Sequence, residues 1–167
     1  MYWYRTGQPS DFPWMARGAV SGAWESLSVE ERLAVAPEQV AAQITGQMQE
    51  FLAGPGGMAI IAMLGQTPVA FITGAVGPDT STEESHGHLL TVWVAPAHRR
   101  RGLARGLLAL AEQHFSSLGL RKVKIWTPEY NGAAVSLARR SGFQPEGLIG
   151  MKRLQGWPVM HLSDTVT

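Results

Sequence analysis

The run Val94-Ala95-Pro96-Ala97-His98-Arg99-Arg100-Arg101-Gly102-Leu103-Ala104-Arg105-Gly106 decides how this chain folds. An apolar, strand-like stretch over residues 89–94 enters it. An amphipathic helical pattern leaves it, with Leu103, Leu107, Leu110, Ala111 and Leu118 recurring on one face. Extended chain therefore stops at Pro96 and a helix restarts near Gly102. The first amides of a helix have no intrahelical partner, and the aligned peptide dipoles add partial positive charge there. Glycine lets a bulky anion approach the backbone. With Arg99, Arg100, Arg101 and Arg105 around it, the turn is suited to hold phosphate.

Upstream, residues 2–5 read as a short first strand, and Ser10-Asp11 can cap a helix over residues 12–25. Ser28-Val29-Glu30-Glu31 has the form of a capping box, and Pro37 suits the first turn of a helix reaching about residue 53. Residues 58–64 and 69–76 are apolar and β-prone, joined by Gly65-Gln66-Thr67-Pro68 as a hairpin. A polar loop over residues 77–85 leads to a strand over 86–94. Downstream come a strand at 123–126, a helix over 131–141 stopped by Gly142, and two last strands, one from Phe143 and one over 159–162. Two antiparallel strands followed by β-α-β-α-β predict an α/β fold. Its sheet is mixed, mostly antiparallel and of about seven strands, with helices on both faces.

At 167 residues, 45% apolar and 16% charged, the chain is expected to form one globular domain with a real core. A net charge of +1 gives no global field for nucleic acid. The absence of cysteine excludes disulfides, thiolate metal sites and a thiol nucleophile. No apolar run approaches a membrane span, and Met1-Tyr2-Trp3-Tyr4-Arg5 lacks a signal-peptide layout, so cytoplasmic residence is the expectation.

Other readings of the turn are weaker. A Walker loop needs Gly-Lys-Ser or Gly-Lys-Thr at its end. A dinucleotide fold wants its glycines directly after the first strand, although Glu129 lies at a tolerable distance for a ribose acid. A nucleic-acid module would rest on the arginines alone, and a solvated charge run at a helix start is the plain alternative.

A second motif decides among them. Arg99-x-x-Gly102-x-Ala104, preceded by Val94-x-Pro96, resembles the Arg/Gln-x-x-Gly-x-Gly/Ala pattern of the GCN5-related N-acetyltransferases (GNAT). One helix and one strand later, Asn131-x-x-Ala134-x-x-Leu137 and Gly142-Phe143 resemble that family's second motif. The resemblance is close over residues 89–143. It implies acetyl-CoA as cosubstrate and no metal. Its diphosphate would be held by backbone N–H groups of Arg100, Arg101, Gly102, Leu103, Ala104 and Arg105, with Arg99 opening the motif in a partly structural role. The pantetheine arm would pair with backbone at Val92 and Val94, in a cleft where this strand splays from the next. Asn131 would face that arm or the sulfur, and Ala134 is small where the cofactor passes. Val94 would offer its N–H to the thioester oxygen. A homodimer through late strands is a further implication, and the acceptor would be a small-molecule or peptide amine.

Acetylating an amine requires that its proton be taken. A lysine-like amine is neutral only about one part in a thousand at neutral pH. The family's usual glutamate base corresponds in position to His88, whose imidazole can accept a proton at physiological pH. His86 shares its face in a regular strand, and Glu83, Glu84 and Glu129 are further candidates. The family's usual tyrosine acid falls at Ala138, which leaves Tyr130, Ser136 or water. That departure also admits a non-catalytic acyl-CoA-binding domain on the same fold. Phe12, Trp14, Trp24 and Phe51, with Trp93 and Trp126, are candidates for either core or acceptor pocket, and Glu25, Glu30 and Glu31 for an acidic rim.

Overall fold

The computed structural model describes residues 1–78 and 84–146. Strand β1 (Tyr2–Thr6) is followed by a 3-10 turn (Pro9–Asp11) and helices α1 (Phe12–Glu25), α2 (Val29–Ala34) and α3 (Pro37–Ala53). Strands β2 (Met58–Leu64), β3 (Thr67–Pro78) and β4 (Ser85–Val94) come next. A second 3-10 turn (Pro96–His98), α4 (Leu103–Ser117), β5 (Val123–Ile125) and α5 (Gly132–Arg140) complete the described chain.

One sheet runs in the order β1-β2-β3-β4-β5, antiparallel throughout except for the parallel β4–β5 pair. The parallel pair follows from the α4 crossover, since two parallel neighbours need a long connection. The described residues hold five strands rather than about seven, and the two expected last strands lie outside them apart from 143–146, which form no strand. β3 and β4 are longer than the sequence reading gave them, because ladder pairing continues out to Pro78↔Ser85.

Side chains alternate across the sheet into two cores. Ala62, Ala70, Ile72 and Leu89 meet Leu103, Leu107, Leu108, Ala111 and Phe115 of α4. Ala59, Ile61, Met63 and Phe71 meet Met15 and Ala19 of α1 and Met48 of α3. The capping box at Ser28 forms as expected: its Oγ accepts from the Glu31 N–H (3.2 Å), and Glu31 accepts from the Ser28 N–H (2.7 Å). Asp11 does not cap α1. Its carboxylate takes both guanidinium nitrogens of Arg5 (2.7 Å each) and the Gln8 N–H, which pulls its pKa down and ties β1 to the start of α1.

Candidate active site

The ladder between β3 and β4 slips once. Thr73 faces Thr91 and Gly74 faces Leu89, so Leu90 has no opposite number and forms a bulge. Past this point β4 also loses its other neighbour, because β5 pairs only with Gly87, His88 and Leu89. The β4 edge from Leu90 to Val94 is therefore open among the described residues. The Ala95 N–H donates to the Val69 carbonyl on β3 (2.9 Å), so by alternation the N–H groups of Val94 and Val92 point to the open edge. The Val94 carbonyl, on that same edge, accepts from Arg99 Nε (3.1 Å).

The turn beyond β4 has unusual backbone. Arg100 (φ 64°) is the one non-glycine residue with positive φ among those described, and Gly102 follows at φ 81°. Left-handed residues of this kind curl a chain so that its amides converge into an anion-sized concavity. Gly102 is the N-cap of α4 and accepts from the Gly106 N–H (3.0 Å), but carries no side chain to cap the first turn. Among the described residues nothing accepts from the amides of Leu103, Ala104 or Arg105. A Cβ on Gly102 would meet nothing within 4 Å, so the concavity is open above it. Gly106 serves packing instead, since a Cβ there would collide with the Tyr4 hydroxyl.

The turn is anchored from two sides. Arg99 also pairs with Glu25 at the end of α1 (2.9 Å), a contact that ties the turn to α1. The Tyr2 hydroxyl lies 3.0 Å from His98 Nδ1 and accepts from Arg101 Nη1 at 3.3 Å. Neither Tyr2 nor His98 was legible as a site residue, because their meeting joins positions 96 residues apart. Across the cleft, Asn131 caps α5 by accepting from the Ala134 N–H (3.2 Å), and its amide nitrogen donates to Ser26 Oγ (3.0 Å). Tyr130 donates to Glu31 (3.1 Å), and its pKa is raised by desolvation and by that carboxylate. The α1–α2 elbow thus contacts both arms of the split.

His86, His88 and Leu90 lie on the face covered by α1 and α3. The two imidazole centroids are 6.0 Å apart, and Phe51 of α3 stands 5.3 Å from the His88 ring. Burial, then His86, then Lys124 pull the His88 pKa below its ordinary value, so the ring is neutral at physiological pH. Lys124 sits opposite His88 on β5 and pairs with Glu146 (2.7 Å). Glu84 is engaged by Lys122 and Arg121, which hold its pKa down and occupy it as a base. Glu83 lies outside the described residues, and Glu129 is exposed beyond β5. Ala138 is buried at 9% exposure on α5. Trp14 and Trp93 belong to core: Trp93 lies against Gly18 and Gly22 of α1 and near the rings of Trp14 and Phe71. Trp126 is two-thirds exposed (67%).

These features define a mixed-sheet α/β protein whose sheet splits beside an anion-seeking turn. The chain belongs to the acetyltransferase (GNAT) family, whose model matches residues 22–143. It is 31% identical over 110 residues to a mycothiol acetyltransferase of Pseudarthrobacter chlorophenolicus and 30% identical over 110 residues to one of Cellulomonas flavigena. Those matches cover 64% and 62% of this chain but only 34% and 32% of the relatives, so the chain spans about a third of their length. Its fold is shared with a GCN5-related N-acetyltransferase of Ralstonia eutropha (TM-score 0.70, 20% identity, 93% of this chain and 100% of the other). The aminoglycoside acetyltransferase AAC(6')-Iy, solved with a bisubstrate analogue of CoA, also shares it (TM-score 0.66, 18% identity, 93% and 99%). Among the described residues no helix is long and apolar enough to cross a membrane.

Proposed function

We propose that this domain transfers an acetyl group from acetyl-CoA to a primary amine by direct attack in a ternary complex. The observation that carries this reading is one continuous set of outward amides. The N–H groups of Val92 and Val94 line the open edge of β4, and those of Leu103, Ala104 and Arg105 close the turn at its end. The residues fit the cosubstrate: converging amides and Arg100, Arg101 and Arg105 suit a diphosphate, and an unpaired strand edge suits the amides of a pantetheine arm.

When bound, acetyl-CoA supplies the electrophile: the amine nitrogen bonds to the thioester carbon, the carbon–sulfur bond breaks, and the electron pair leaves on the CoA thiolate. The remaining work falls to the protein. The Val94 N–H is placed to donate to the carbonyl oxygen as charge gathers there. Arg99 fixes the Val94 peptide through its carbonyl. His88, held neutral, takes the proton that the nitrogen loses as it bonds to carbon. Asn131 positions the start of α5 beside the cleft and ties it to Ser26. With Ala138 apolar and Tyr130 bonded to Glu31, water protonates the leaving thiolate, whose low basicity makes it a good leaving group.

The buried Ala138 also favours a second reading, an acyl-CoA-binding domain without turnover. A panel of primary amines with thiol detection separates the two. Steady thiol release above hydrolysis supports the transferase, saturable CoA binding without release supports the sensor, and no CoA binding overturns both.

A further inference from the structure

A feature the mechanism leaves unused is a cavity of about 420 Å³ bounded by the end of α3, the end of β3 and the first half of β4. We propose that this cavity receives the acceptor, and that the acceptor is a compact monoamine with an apolar body rather than a polycation. The inference rests on the transferase reading and names its second substrate class.

Position comes first. His86 and His88 form one wall of the cavity. His88 is two residues before the Leu90 bulge and on the same face, roughly 7 Å along the strand at the usual rise per residue. The cavity thus lies over β3 and β4, with its His88 wall one residue before Leu89, the last β4 residue paired with β5. A nitrogen held against His88 has a short path to the split.

Composition sets the ligand. Phe51, Pro55, Ala75 and Val76 make the cavity apolar, and its volume is at the small end of small-molecule sites. Glu50 is the one carboxylate among its described lining residues, and it is exposed at the rim. One carboxylate and one aromatic ring match one ammonium group carried on a hydrocarbon body. A polycation would face a poor site. Its extra ammonium groups would lie against apolar lining and the neutral His88 ring, near the Lys124 ammonium that stands opposite His88. A charge placed so, without a partner, is costly.

Phenethylamine and spermidine serve as probes of the two classes, titrated into the CoA-loaded domain while the imidazole NMR signals of His86 and His88 are followed. Phenethylamine is expected to shift both rings saturably, spermidine at equal concentration to leave them in place, and Glu50→Gln to raise the phenethylamine Kd tenfold or more. Rings unmoved by phenethylamine, tighter binding of spermidine, or an unchanged Kd in Glu50→Gln would each overturn the proposal. Acetylation assayed on the same protein and amines with acetyl-CoA in place of CoA keeps the two ideas apart. Bound phenethylamine that is never acetylated sinks the transferase reading and leaves the pocket standing. Acetylation without any response of the two rings sinks the pocket and leaves the transferase standing.

Discussion

Gly102 offers the sharpest test of the anion site, because its surroundings separate conformation from charge. Its φ of 81° is left-handed, and a Cβ there meets nothing within 4 Å, so a side chain costs strain but no collision. Asparagine and aspartate tolerate this region better than most residues, and either should cost about 1 kcal/mol. Aspartate adds a negative charge beside the first amides of α4. At about 5 Å from a phosphate charge the repulsion is about 3 kcal/mol for an effective dielectric of 20, reduced to about 2 kcal/mol by salt. Gly102→Asn should thus lose about 1 kcal/mol of stability with CoA affinity nearly kept, and Gly102→Asp should in addition weaken CoA binding about 30-fold. Titration calorimetry with CoA measures both, and thermal unfolding of each variant confirms that the fold is kept. The gap between the two variants should narrow as ionic strength rises. Equal affinities for Asn and Asp would mean that no phosphate approaches this turn, and the reasoning from free amides to a diphosphate would fail.

Three other variants probe separate parts of the structure. His88→Gln should reduce turnover by about 100-fold or more and erase an acid limb lying below pH 6.5 in kcat/KM; a retained limb would remove His88 from proton transfer. The same side chain affects stability: its folded pKa is lowered, so the unfolded chain binds the proton first, and stability is lost as pH falls below 6.5, a slope that denaturant titrations should find flattened in the variant. Tyr2→Phe removes the hydroxyl between His98 and Arg101, worth about 1 kcal/mol, and should raise the KM for acetyl-CoA about fivefold with kcat kept; an equal fall in kcat would argue that β1 does more than hold the turn. Gly87→Ala would drive a methyl into the buried ring of Phe115 and should cost about 1–3 kcal/mol in urea unfolding, whereas an unchanged midpoint would show that α4 shifts freely against the sheet.

Local rules made much of the fold legible. The element order through residue 140, the capping box at Ser28, the hairpin at Gly65 and the restart of the helix at Gly102 each depend on residues within a few positions of one another. The Leu90 bulge had only a faint signal. His86, His88 and Leu90 share a face with Trp93, which regular alternation would place on the other side, so the parity of the apolar run breaks near Leu90. Asp11 shows a local rule overruled. A nearby guanidinium competes for the carboxylate more strongly than the helix amides do.

The sequence by itself determined that a strand ends, a glycine turns the chain left-handed and a helix begins with its first amides uncapped, because backbone sterics and capping act over a few residues. Tertiary structure alone decided what stands around that turn. Tyr2 beneath it, Glu25 on Arg99, Ser26 on Asn131 and Phe51 beside His88 are contacts between segments far apart in the chain. Such contacts follow from how helices pack across a twisted sheet, and no local pattern of residue types encodes that geometry.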